Sequence, residues 1–148
     1  MSTRQKTGGA LPINLFSGSV PGAGTVIYPV TALQVLGLAA MNSLSLQSAF
    51  TYGSGGTSVD VYLQTSLDKG ITWFDIMNHH LLLATAFKLS SVNMFPSTPF
   101  TAGTTPGDGA LAANTVLNGI LGDRIRAKVV IVGTYAGTTL ALDIIAKP

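Results

Sequence analysis

Apolar and polar side chains alternate along much of this chain with a spacing of two. In Leu44-Ser-Leu-Gln-Ser-Ala-Phe50 the residues Leu44, Leu46 and Phe50 share a face, and in Val59-Asp-Val-Tyr-Leu-Gln-Thr65 the set Val59, Val61, Leu63 opposes Asp60, Tyr62 and Gln64. A period of two with one apolar face predicts half-buried β-strands. Arg124-Ile-Arg-Ala-Lys-Val-Val-Ile-Val132 and Thr139-Leu-Ala-Leu-Asp-Ile-Ile145 repeat the pattern. Shorter apolar runs over Leu11–Phe16, Thr25–Val30 and Ile71–Asn78, and one within Leu81–Met94, read as further strands. Val30–Met41 is ambiguous, because Ala, Leu and Met suit a helix while Gly37 opposes a long one; it reads as a strand or a short helix.

Glycine, serine and proline punctuate these runs. Tyr52-Gly-Ser-Gly-Gly-Thr57 and Gly133–Thr138 read as turns, which predicts two hairpins, 44–50 with 59–65 and 124–132 with 139–145. About eight short antiparallel strands with turn signals every 8 to 12 residues or so are the signature of an all-β protein, a single β-sandwich or jelly roll. Residues 1–10, polar up to Gly8-Gly9, are expected to be a flexible N-terminal arm, and residues 11–148 the β-sandwich domain. Phe95–Asn114, rich in Pro, Thr and Gly, is a long loop of the kind that contacts partners.

Composition changes the picture of the surface. Of the 148 residues 47% are hydrophobic but only 9% are charged, and glutamate is absent, against about 25% charged in an ordinary soluble domain. An uncharged surface can be covered by neighbours without burying unpaired ions, so subunit contacts and a homo-oligomer, a dimer or trimer, are expected. Eight scattered Lys and Arg residues give a net charge of +2 and form no basic stripe, which makes nucleic acid an unlikely partner. Without cysteine there is neither a disulfide framework nor thiolate zinc. The N-terminal region has no signal-peptide core, and Val30–Met41, interrupted by Gln34, is too short to span a bilayer. The chain is therefore expected to be made in the cytoplasm without membrane insertion.

The most specific local signal is Ser66-Leu-Asp68-Lys-Gly70-Ile-Thr72-Trp73. It fits S-x-D-x-G-x-T-W, the Asp-box that recurs in sialidase-like propellers and other β proteins. Its physics is that of a turn: Asp68 accepts backbone N–H bonds, Gly70 takes positive φ, and Trp73 is expected to pack the next strand onto the core. One box in a chain with room for one sandwich does not make a sialidase, so Ser66, Asp68, Gly70, Thr72 and Trp73 are assigned to a structural turn. Asp68 and Asp75 are conceivable as paired carboxylates, but nothing in the sequence supplies the cleft or shifted pKa that acid–base work requires. His79 and His80 are neighbours on a strand and point to opposite faces, which disfavours a shared metal; a surface or interface role is expected. Arg124, Arg126 and Lys128 fall on one strand face and read as a solvated row that blocks edge pairing. No catalytic residues, metal ligands or cofactor site are assigned, and no enzyme is expected.

Two stretches carry a resemblance: Ser58-Val-Asp-Val-Tyr-Leu-Gln-Thr-Ser-Leu-Asp-Lys-Gly-Ile-Thr-Trp-Phe-Asp75 behind its Gly-rich turn, and Gly122-Asp-Arg-Ile-Arg-Ala-Lys128 with Gly133-Thr-Tyr-Ala-Gly-Thr-Thr-Leu140. Over roughly residues 44–145 the chain resembles small virion structural proteins of tailed bacteriophages. The resemblance implies a jelly-roll-like sandwich that acts as a capsid cement or decoration protein, binding major capsid protein or other virion proteins and its own copies, and so a location in the virion. It brings no catalytic residues. On this reading Arg4 and Lys6 of the arm, with Phe95, Pro99 and Phe100 of the long loop, are the candidate partner contacts. The alternatives are a head–tail junction or tail structural protein, or a carbohydrate-binding module of a phage fibre or spike that stacks sugar on Tyr52, Tyr62, Trp73 or Tyr135.

Overall fold

A computed structural model describes residues 9–30, 34–95 and 107–148. Those residues form an all-β structure of ten strands with no helix: β1 (Leu11–Ser19), β2 (Gly24–Tyr28), β3 (Ser43–Thr51), β4 (Ser54–Gly55), β5 (Ser58–Ser66), β6 (Phe74–Leu81), β7 (Ala86–Asn93), β8 (Arg124–Val132), β9 (Tyr135–Ala136) and β10 (Thr139–Lys147). The eight longer strands make two four-stranded antiparallel sheets, sheet I in the order β1-β10-β3-β7 and sheet II in the order β2-β8-β5-β6. β4 and β9 form a two-residue ribbon of their own.

The alternation read in the sequence is the alternation of burial. In β3, Leu44, Leu46, Ser48 and Phe50 point inward; in β5, Val59, Val61 and Leu63; in β8, Ile125, Ala127, Val129 and Ile131; in β10, Leu140, Leu142, Ile144 and Ala146. Together with Ile76, Met77, Leu81 and Val92 these side chains form one core between the sheets. Each fully buried aliphatic side chain contributes about 1.5–3 kcal/mol, so the core is the main source of stability.

The partners of the strands differ from the hairpins expected. β3 and β5 lie in different sheets, and so do β8 and β10. The segments between them are arches that cross the edge of the sandwich, and they pair with each other through Ser54↔Ala136 and Gly55↔Tyr135. The Gly-rich composition thus serves close approach between two backbones. A Cβ on Gly53 would meet the Ala136 carbonyl, and one on Gly56 would meet the Tyr135 ring. Among the described residues, β5 and β6 are the one consecutive pair of long strands that form a hairpin within a sheet, and the Ser66–Trp73 turn joins them.

Four of the pairings nest by sequence: β5 with β6, β3 with β7 outside them, β2 with β8 outside those, and β1 with β10 outermost; the pairings β3–β10 and β5–β8 join these pairs side by side into the two sheets. Of Val30–Met41, the described residues 34–41 form neither helix nor named strand. Val35 makes an isolated bridge to Ile125, through bonds of 2.6 and 3.0 Å, and Leu38 is buried.

Candidate functional site

Three places hold the residues singled out by chemistry, and a fourth is set apart by its exposure. The first is the β5–β6 turn. Ser66 Oγ donates to Asp68 Oδ1 at 2.9 Å and accepts from Gly70 N at 2.8 Å, Asp68 Oδ1 accepts from Thr72 N at 2.7 Å, and Trp73 Nε1 donates to the Gly70 carbonyl at 3.0 Å. Gly70 has a φ of 87°. The bonds from Thr72 hold the Asp68 carboxyl down at about 2, so it stays ionised as an acceptor. Every polar partner of Asp68 lies within the turn itself. Trp73 does not pack into the core as expected. Its ring lies over the Arg126 guanidinium, 4.4 Å from the centroid, on the outer face of sheet II.

That outer face is the second place. Arg124, Arg126 and Lys128 do share a face, but β8 is an interior strand and the side chains are only 21%, 17% and 18% exposed, so they form neither a solvated row nor an edge guard. Asp108 and Gly109 pack against Arg126 and Lys128, and Gln34 meets Arg124. Lys128 Nζ meets Asp108 Oδ1 at 3.0 Å, Arg126 Nε donates to Gln64 Oε1 at 2.7 Å, and Gln64 Nε2 donates to both Asp75 and Asp108, at 2.7 and 2.6 Å. Asp75 is fully buried and accepts backbone N–H bonds from Gly109, Ala110 and Leu111 at 2.7–3.0 Å. Burial alone would raise the Asp108 carboxyl, but its bonds to Gln64 and Lys128 and the adjacent Arg126 charge outweigh that and lower it. The carboxylates weighed as a pair are thus employed separately, Asp68 in a turn and Asp75 as the anchor of the 107–111 segment. The described part of the long loop lies on its own sheet.

The third place lies between the sheets. His79 points inward from β6 and His80 outward, on opposite faces as expected. His79 is 2% exposed, so the surface role expected for it does not hold. Its Nδ1 lies 2.7 Å from Ser48 Oγ and its Nε2 2.8 Å from Ser90 Oγ, which ties sheet II to two strands of sheet I. Burial, and secondarily the Lys88 charge, push its pKa down to about 4. His80 pairs with Asp60 at 2.8 Å. No three His, Asp, Glu or Cys among the described residues lie where they could share a metal ion.

The fourth place, the outer face of sheet I, is open. Phe87, Leu89, Ser91 and Asn93 of β7 lie beside Ser43, Ser45, Gln47 and Ala49 of β3, with Ala141, Asp143 and Ile145 of β10 and Pro12 of β1 beyond. Phe87 is 71% and Leu89 74% exposed. Small side chains in the middle, with Ser45 and Ser91 hydroxyls 2.6 Å apart, leave a trough of about 540 Å³ walled by Leu89 on one side and Ile145 and Pro12 on the other. Asp143 accepts from Asn14 Nδ2 at 2.8 Å, and Lys147 stands at the end of β10. No sequence signal pointed to this face, because nothing in the alternation of β3 or β10 distinguishes an outward side that is open from one that a loop covers.

Of the expected partner contacts, Phe95 is 75% exposed, while Arg4, Lys6, Pro99 and Phe100 lie outside the described residues. The aromatics considered for sugar stacking are dispersed. Tyr52 and Tyr135 pack with Phe50 at the arches, Trp73 covers Arg126, and Tyr62 projects from β5 on the outer face of sheet II. No helix among the described residues is long and apolar enough to cross a membrane. No protein-family model, curated protein or solved structure matches the chain.

Proposed function

We propose that this chain is a structural protein of a bacteriophage particle, of the capsid cement or decoration type, which acts by association with shell proteins and with its own copies. The observation that carries the reading is the open outer face of sheet I, a whole sheet surface with two exposed large apolar side chains and almost no charge. Contiguous surface of that kind suits protein contact. The nested pairs support it, since closing from the innermost β5–β6 hairpin to the outermost β1–β10 pair is the order expected of a jelly roll, a fold common in viral shells. The fold argument is an analogy; the face is the physical argument.

In this reading the polar groups are committed to the fold. Asp75, Gln64 and Arg126 fix the covering segment, Asp68 fixes the turn and His79 ties the sheets. Binding then comes from many modest contacts repeated over a symmetric lattice. The test is to purify virions produced by the genome that encodes the chain and quantify their proteins by mass spectrometry. The expected result is this chain in a fixed stoichiometric ratio to the major capsid protein, with density on the shell in averaged images. Its absence from purified virions would overturn the reading.

A further inference from the structure

We propose that the outer face of sheet I is a two-fold self-association surface, on which the Phe87–Leu89 ridge of one copy seats in the Ser45–Ser91 trough of another. The proposal deepens the structural role by naming the surface through which copies of the chain meet.

Charge selects the occupant. Across a two-fold axis a face meets itself, so any net charge on it is repelled by its own image. Here the central strands present Ser43, Ser45, Gln47, Ala49 and Ala141, with Asp143 already bonded to Asn14 and Lys147 at the margin. Hydroxyl and carboxamide groups both donate and accept, so such a face can satisfy an identical one. A basic or acidic partner would find little to pair with. The outer face of sheet II contrasts with it at each step: it carries Arg124, Arg126 and Lys128, and residues of the same chain cover it.

Area and relief agree with a second copy. Four strands about 4.8 Å apart, each eight or nine residues long at about 3.3 Å per residue, give a footprint of roughly 550 Å². Two copies then bury roughly 1,100 Å² before side-chain relief is counted, above the approximately 1,000 Å² that a specific interface needs. The relief is complementary to itself. Phe87 and Leu89 stand proud at one edge of the face, and the trough lies next to them, floored by the two serines. A two-fold rotation brings each ridge over the other copy's trough and buries both apolar side chains twice, once in each half of the contact.

The test uses the full chain in sedimentation equilibrium from low to high micromolar concentration, with thermal melting as the check on folding. The chain is expected to be a reversible dimer. Leu89→Lys on the ridge and Ser45→Arg in the trough are each expected to weaken the dimer roughly ten-fold or more. Ile71→Lys, at an 84% exposed position in the β5–β6 turn, is expected to leave it unchanged. All three substitutions are on outward side chains, so cooperative melting is expected to persist. A chain that is monomeric at every concentration overturns the proposal, and so do variants that associate as the parent does. Loss with Leu89→Lys but not with Ser45→Arg would place the contact on the β7 edge instead, and also overturns it. The structural role is judged separately: a monomer found on virions sinks the face alone, and a dimer absent from virions sinks the role alone.

Discussion

The imidazole of His79 uses both ring nitrogens, one toward Ser48 and one toward Ser90, in the space between the sheets. A neutral ring has one donor and one acceptor, and a serine hydroxyl can answer either, so both bonds are satisfied without charge. A proton there would place an ion in the core with no carboxylate beside it and with Lys88 adding repulsion. The folded pKa, about 4, lies below the value near 6.5 of an unfolded chain. The unfolded state therefore takes up a proton at a pH where the folded state does not, and stability falls as pH drops from about 6.5 toward 4. The expected loss over that window is on the order of 2–3 kcal/mol, measured by urea unfolding at several pH values. His79→Gln is expected to start from lower stability but to lose that part of the slope. A variant with the parent's full pH dependence would assign the slope to other groups. Sequence reasoning placed His79 and His80 on opposite faces, because strand geometry guarantees that, but could not tell which face was inside. Asp75 is more opaque still, since its donors come from residues 109–111, more than 30 positions away.

At the scale of elements, strands were legible and their partners were not. The alternation in 44–50, 59–65, 124–132 and 139–145 marks one buried face per strand whichever sheet the strand joins. A Gly-rich link of a few residues fits a hairpin turn and an arch equally well, so adjacency in sequence favoured hairpins where the chain builds arches. The Asp-box was read as a turn with more success, because its bonds are local: Ser66, Asp68, Gly70 and Thr72 bind one another within seven residues. The arches themselves are tested at Gly56. It has a φ of 71° and lies under the Tyr135 ring, so Gly56→Ala adds left-handed backbone strain of about 1–2 kcal/mol to a clash with that ring. Tyr135→Ala removes the clash and leaves the strain. In a double-mutant cycle by chemical denaturation, Gly56→Ala is expected to cost less in the Tyr135→Ala background than in the parent. Equal costs in both backgrounds would mean that the ring and the glycine are not in contact.

For the whole molecule, nesting makes the end of the chain structurally central. β10 is the last strand in sequence yet lies inside sheet I, paired with β1 on one side and β3 on the other. It supplies Leu140, Leu142, Ile144 and Ala146 to the core. A chain that stops at Thr138 therefore leaves two strands with bare edges and the core open along the middle of one sheet, a defect no local rearrangement repairs. The truncated chain is expected to show no cooperative thermal transition by calorimetry. A peptide covering residues 139–148, added in excess, is expected to restore one, because strand addition supplies the missing backbone bonds and apolar side chains together. The same peptide with Leu142→Asp has its polar group facing the core and is expected to fail. A cooperative melt of the truncated chain alone would show that sheet I closes without its inner strand, and the order β1-β10-β3-β7 would then not be what holds the sandwich together.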